Sequence, residues 1–153
     1  MRIAPATERD IHHAGELRAA MAKEHNVGWD DTNPGWRARF VEYFSDEMER
    51  ENALVLFAWE NDAVVGMAIF SFVHDYRAYA LAQRRGYVNG VYVLPQFRRR
   101  GIARAMMSDG IAWLRTGGAK TIRLRSSDEG RPLYASLGFV PSAEMAGKVV
   151  IDP

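Results

Sequence analysis

"VYVLPQFRRRGIARAMM", from Val91 to Met107, joins an apolar strand-like run to a helix-like run through three consecutive arginines and a glycine. Pro95 ends the strand pattern, and Ile102 and Met106 start one side of the helix. A helix start leaves its first backbone N–H groups without intrahelical partners. The helix dipole adds about half a positive charge there. Gly101 lets the backbone approach a ligand with no Cβ between them, and Ala103 keeps the first helical turn thin. Arg98, Arg99 and Arg100 are expected to add charge at the rim. The segment from Arg98 through Gly101, Ile102 and Ala103 to Arg104 therefore reads as a cradle for a phosphate-bearing anion.

Other phosphate binders do not fit. A Walker loop needs Gly-Lys followed by Ser or Thr, which the chain lacks, and a dinucleotide fingerprint needs three glycines after a first strand. A net charge of +1 gives no global field toward nucleic acid or an anionic membrane. The chain has no cysteine, which excludes disulfides, thiolate metal sites and a cysteine nucleophile, and fits a cytoplasmic location. "MRIAPATERD" turns charged at once, so no signal peptide is expected. No apolar run approaches the roughly 20 residues that span a bilayer. His12, His13, His25 and His74 read as scattered surface residues. His12 and His13 are neighbours expected to diverge on a helix, so no metal is expected.

Working outward, "MRIAP" reads as a first strand, and Thr7 with Asp10 as the cap of a helix striped by Ile11, Ala14, Leu17 and Met21. "HNVGWDDTNPGW" breaks that helix, and Pro34 suits the first turn of the next. Trp36, Phe40, Phe44 and Met48 then share a face. "ALVLFAWE" and "AVVGMAIFSFV" predict an antiparallel hairpin. "HDYRAYALAQRR" reads as loop, "GYVNGVYVL" as a strand with a bulge at Asn89 and Gly90, and "GIARAMMSDGIAWLRT" as a helix stopped by two glycines. "KTIRLRSS" is a strand, "DEGRPLYASLG" a short helix, and "FVPS" and "AGKVVID" are expected as closing strands. The whole chain, 1–153, reads as one α/β domain.

At this point the chain resembles a family. Arg98, Gly101 and Ala103 match R/Q-x-x-G-x-G/A, the cofactor motif of the GNAT N-acetyltransferases, with "VYVLP" ahead of it. "PLYASLGF", from Pro132 to Phe139, is similar to a second family segment that carries a tyrosine, and the element order agrees from end to end. The resemblance implies a mixed, mostly antiparallel sheet (an α+β arrangement) that splays beside a cleft for acetyl-CoA. It implies that the CoA pyrophosphate lies on the amides of Arg98 to Arg104. The pantetheine arm then runs along the free edge at Val91, Tyr92 and Val93, and the amide of Val93 serves the oxyanion. It places Tyr134 as the acid that protonates the departing thiolate.

With no cysteine, direct transfer in a ternary complex is expected. The general base stays open. Asn89 can hold a water, while His74, Asp75, Asp128 and Glu129 qualify by residue type only, and a water chain to solvent is an equal candidate. For the acceptor, Asp30 and Asp31 suit a cationic amine, and Trp29 or Trp36 suit stacking on it. The expected reaction is acetylation of a primary amine on a small molecule, with no nucleic-acid or membrane partner and a homodimer open. Acetylation of a protein N-terminus or lysine, and idle acyl-CoA binding, are the alternatives.

Overall fold

The computed structural model describes residues 1–28, 32–74 and 84–148. Five strands form one sheet in the order β1-β2-β3-β4-β5: β1 (Arg2–Pro5), β2 (Ala53–Glu60), β3 (Ala63–His74), β4 (Arg84–Val93) and β5 (Ile122–Leu124). The first three pairings are antiparallel, and only β4 with β5 is parallel. This is the mixed, mostly antiparallel sheet that the resemblance implies. The turn of the β2–β3 hairpin pairs Glu60 with Ala63, and Asn61 adopts the left-handed φ of 53° that the tight reversal needs.

Alternation along the strands builds two cores. Val55, Phe57, Met67 and Ile69 point to one face, where Ala14 and Leu17 of α1 (His12–Glu24) and Phe44 of α2 (Trp36–Glu49) cover them. Leu56, Ala58, Ala68 and Phe70 point to the other, against Ile102, Met106, Met107 and Leu114 of α3 (Ile102–Thr116). A short α4 (Arg131–Ser136) packs Tyr134 onto this second core from the side. The period of two in the strands and the helical stripes meet as the sequence requires.

Some expectations need correction. Pro34 lies before α2, not in its first turn; Gly35 takes the capping position with φ 77° and the Trp36 amide donates to Asn33 O at 3.2 Å. Residues 139–148 hold no strand. The apolar residues of "FVPS" find no sheet edge to cover: Val140 is 81% exposed. That segment is tied by side chains instead, with Arg123 2.7 Å from Glu144. The end of "AGKVVID", from 149 onward, lies outside the described residues.

What positions the site is the edge of β4. Its pairing with β5 covers only Gly86, Tyr87 and Val88. On the β3 side Ile69 faces Gly90 and Phe70 faces Val88, so Asn89 is the extra residue of a bulge. Beyond it Val91, Tyr92 and Val93 pair with β3 alone. A parallel partner that stops three residues in, next to a bulge that bends the strand, leaves a wedge open between β4 and the loop after β5.

Candidate active site

The wedge is a cleft of about 910 Å³. Val91, Tyr92 and Val93 form its floor, the loop after β4 one end, α4 with Tyr134 one wall, and the last turns of α1 the other. The amide of Leu94 donates to Val65 O on β3 at 2.9 Å. Antiparallel strands alternate the direction of their amides, so the Val93 N–H faces the open side. The Val93 carbonyl faces that side too, where Arg98 Nε donates to it at 2.8 Å.

The loop itself is shaped for an anion. After a 3-10 turn at Pro95–Phe97, Arg99 and Gly101 both take left-handed backbone, with φ 64° and 78°. A non-glycine residue held there is strained, and such strain collects at binding loops. The two turns curl the chain so that successive amides face one side. The amides of Arg99 to Arg104 donate to no backbone carbonyl among the described residues, and Ala105 is the next to do so, to Gly101 O at 3.0 Å. A Cβ built on Gly101 meets nothing within 4 Å, so the space beside it is open for a ligand.

The arginines divide their work. Arg98 does not decorate the rim. Its two terminal nitrogens donate to the carboxylate of Glu24 on α1, each at 2.8 Å, and its Nη1 lies 3.6 Å from Glu129. Tyr92 donates its hydroxyl to the same carboxylate at 2.8 Å. Hydrogen bonds from Arg98 and then Tyr92 hold the Glu24 carboxyl down at about 2. Burial, and then Glu24, push the Tyr92 phenol up to about 12. The side chain of Arg100 leaves the cleft, with its guanidinium over the Phe97 ring and 4.0 Å from Glu60. Arg99 and Arg104 line the cleft, and Arg104 is steadied by Ser136 Oγ at 2.6 Å.

Tyr134 sits where α4 meets the cleft. Pro132 opens that short helix, and Ser127 Oγ accepts from the Gly130 amide at 3.1 Å just before it. The ring packs edge-on against Phe139, and Gly130 leaves room for it: a Cβ there would lie 2.9 Å from the Tyr134 ring. Burial raises the phenol, so it keeps its proton at neutral pH. Among the described residues nothing takes its hydroxyl in a hydrogen bond.

The other sequence candidates fare differently. Trp36 is buried at the start of α2 against Phe40 and does not line the cleft. Trp29, Asp30, Asp31 and Asp75 lie outside the described residues. His74 takes a hydrogen bond from Arg84 Nε at 3.2 Å, away from the cleft. His12 and His13, the first two residues of α1, do not diverge: their rings lie 4.1 Å apart. With Glu16 they place three ligating atoms within 4.8 Å of one another, at the positive end of that helix. His25, read from sequence as a surface residue, lines the cleft. Glu24 was not singled out at all. Neither carries a motif, and only the contact of α1 with β4 reveals them.

The sequence matches the acetyltransferase (GNAT) family over residues 21–139. The chain belongs to the acetyltransferase (GNAT) family. Similar solved structures agree in fold. A predicted acetyltransferase with acetyl-CoA from Clostridium acetobutylicum superposes with a TM-score of 0.87 at 22% identity, over 97% of this chain and 95% of that one. A GCN5-related N-acetyltransferase from Ralstonia eutropha gives 0.82 at 24% identity, over 97% of each chain. An aminoglycoside antibiotic 6'-N-acetyltransferase from Acinetobacter haemolyticus gives 0.75 at 22% identity, over 99% of this chain and 100% of that one. No curated protein matches the chain. Among the described residues no helix is long and apolar enough to cross a membrane.

Proposed function

We propose that this acetyltransferase moves an acetyl group from acetyl-CoA to a primary amine on a small molecule, directly and without an acyl-enzyme. The observation that carries this is the union of an open β4 edge with a loop of outward amides at its end. A pyrophosphate fits amides of Arg99 to Arg104 that have no carbonyl to serve, beside a Gly101 that leaves the space clear. A pantetheine arm fits the edge from Val91 to Val93, as an added strand does. Acetyl-CoA bound there supplies an activated thioester.

The chain supplies the rest. The Val93 N–H is the donor for the developing oxyanion. Arg98 caps the neighbouring Val93 carbonyl, so that this acceptor dipole beside the oxyanion is already satisfied. Tyr134 gives its proton to the departing sulfur. Its freedom from any other described partner favours this role over plain packing. A relative whose structure is of an aminoglycoside 6'-N-acetyltransferase supports a small-molecule amine. Trp29, Asp30 and Asp31 stay in the proposal as the acceptor side by their place in the sequence between α1 and α2, and Trp36, buried away from the cleft, leaves it. The alternative, a protein acceptor, has no observation that favours it.

One experiment tests donor and acid together. Calorimetric titration should show acetyl-CoA binding to the wild type, and Gly101→Glu should abolish it by setting a carboxylate against the pyrophosphate. Tyr134→Phe should keep binding while thiol release falls about 100-fold. An absence of acetyl-CoA binding would sink the donor assignment. An unchanged rate in Tyr134→Phe would remove the acid.

A further inference from the structure

An amine arrives as an ammonium, with an ordinary pKa of about 10.4, and has no lone pair until it loses a proton. We propose that His25 is the general base of this cleft and takes that proton. The inference rests on the acetyl-transfer reading above.

Position supports it first. His25 closes the last turn of α1, with its amide on Met21 O at 3.2 Å, and lines the cleft. The preceding residue, Glu24, is bolted to Tyr92 of β4 and to Arg98 of the loop. That clamp fixes the end of α1 against the strand edge that carries Val93, and with it the backbone of His25, whose side chain is exposed to the cleft. α1 packs on the core of one sheet face, whereas Tyr134 packs on the core of the other. Base and acid thus reach the edge from opposite sides. Addition of the amine to the thioester carbon and expulsion of the thiolate need a base at the nitrogen and an acid at the sulfur, two separate points that groups on two different elements can serve.

Elimination supports it second. Glu24 accepts three hydrogen bonds on its two oxygens and is too weak a base once held by Arg98. Glu129 lies on the far lip, 3.6 Å from Arg98 Nη1. Asn89 Oδ1 is taken by Ser71 Oγ at 2.6 Å. Arg18 on the same helix and Arg125 after β5 also line the cleft, and a guanidinium has no lone pair to offer. Asp128 and His74 do not line it. Among the described residues that leaves one group able to accept a proton near neutral pH, an imidazole. The charged groups facing the cleft are mostly cationic: Arg18 on α1, Arg98, Arg99 and Arg104 at the loop and Arg125 after β5, with Glu129 beside Arg98 and Glu24 paired to it.

The protons balance as follows. The ammonium gives its first proton to His25, which passes it to solvent. The nitrogen–carbon bond forms and the carbon–sulfur bond breaks. Tyr134 protonates the sulfur, and the second proton lost from nitrogen restores Tyr134 through solvent. The net products are the amide, the free thiol and one proton.

The test is the pH profile of kcat/KM, by thiol release on a panel of primary amines from about pH 6 to 10, the span between imidazole and amine. It is run on the wild type, His25→Gln and His25→Asn, with acetyl-CoA affinity measured on each. The wild type should show an acid-side limb. Both variants should bind acetyl-CoA within twofold of it, lose about 100-fold or more near neutral pH, and recover toward it at high pH, where the amine deprotonates unaided. A purely structural histidine gives no such recovery. Variants with the wild-type profile and rate would overturn the base and hand the proton to solvent. Variants that both lose acetyl-CoA would make His25 a packing residue. A wild type that binds acetyl-CoA yet acetylates no amine would overturn the transfer reading itself, and the base with it.

Discussion

Arg98 is the residue on which most of the site turns. Its motif position marks it as part of the cradle, yet its guanidinium spends its charge on Glu24, 74 residues earlier in the chain. Pairing of this kind shows in the pH dependence of stability. The Glu24 carboxyl lies near 2 in the fold against an ordinary 4.5. A depressed carboxyl stabilises the fold above its ordinary value, and that contribution is lost as pH falls through about 2. The Tyr92 phenol is raised to about 12, so its contribution holds below the ordinary phenol range and is lost as pH rises through 12. Glu24→Gln should therefore be less stable than the wild type at neutral pH and equal to it near pH 2. Urea unfolding across that range measures the convergence. A gap that persists at pH 2 would mean that Glu24 acts by packing and not by charge. A sequence reader sees Arg98, because a spacing rule marks it, and misses Glu24, because an exposed glutamate at a helix end is ordinary.

Among the elements, α3 shows how tightly helix and sheet are fitted. Gly110 lies mid-helix, and a Cβ there would come within 2.0 Å of the Phe70 ring on β3. Helix propensity alone favours alanine over glycine by about 1 kcal/mol. Overpacking a core costs about 1–3 kcal/mol, and here the obstacle is a wholly buried ring. Gly110→Ala should lower Tm by several degrees, at about 2–4 °C per kcal/mol for a chain of this size; a rise in Tm on thermal unfolding would show that the ring yields. The ends of α3 are legible from sequence because glycines stand at both. The bulge in β4 is legible for a similar reason, since Asn89 and Gly90 interrupt an apolar run. "FVPS" misled because an apolar pair beside a glycine resembles a strand, and a strand needs a partner that local sequence cannot supply.

For the whole molecule, the sheet is continuous except where β4 loses β5, and that gap is the proposed binding site. A ligand that fills it joins the two cores through one bound molecule. Acetyl-CoA at 100 times its Kd should add about 2.7 kcal/mol to stability. Thermal unfolding with and without acetyl-CoA should show a Tm rise that grows with ligand concentration, and Gly101→Glu should show none. A wild-type Tm that ignores acetyl-CoA would contradict the cleft as its site.

The sequence by itself determined the central strands, the hairpin and the glycine loop at the helix start, while the candidate acid came from the resemblance to the family. The first three depend on local chemistry: alternation on a strand, a positive φ, unpaired amides at a helix start. Only the tertiary structure decided that Arg98 is a clamp, that Arg100 turns to Glu60, that Glu24 bonds to Arg98 and Tyr92, and that His25 lines the cleft. Those facts depend on which face of α1 meets β4. Packing sets that through contacts between residues far apart in the chain, and no short stretch of sequence records it.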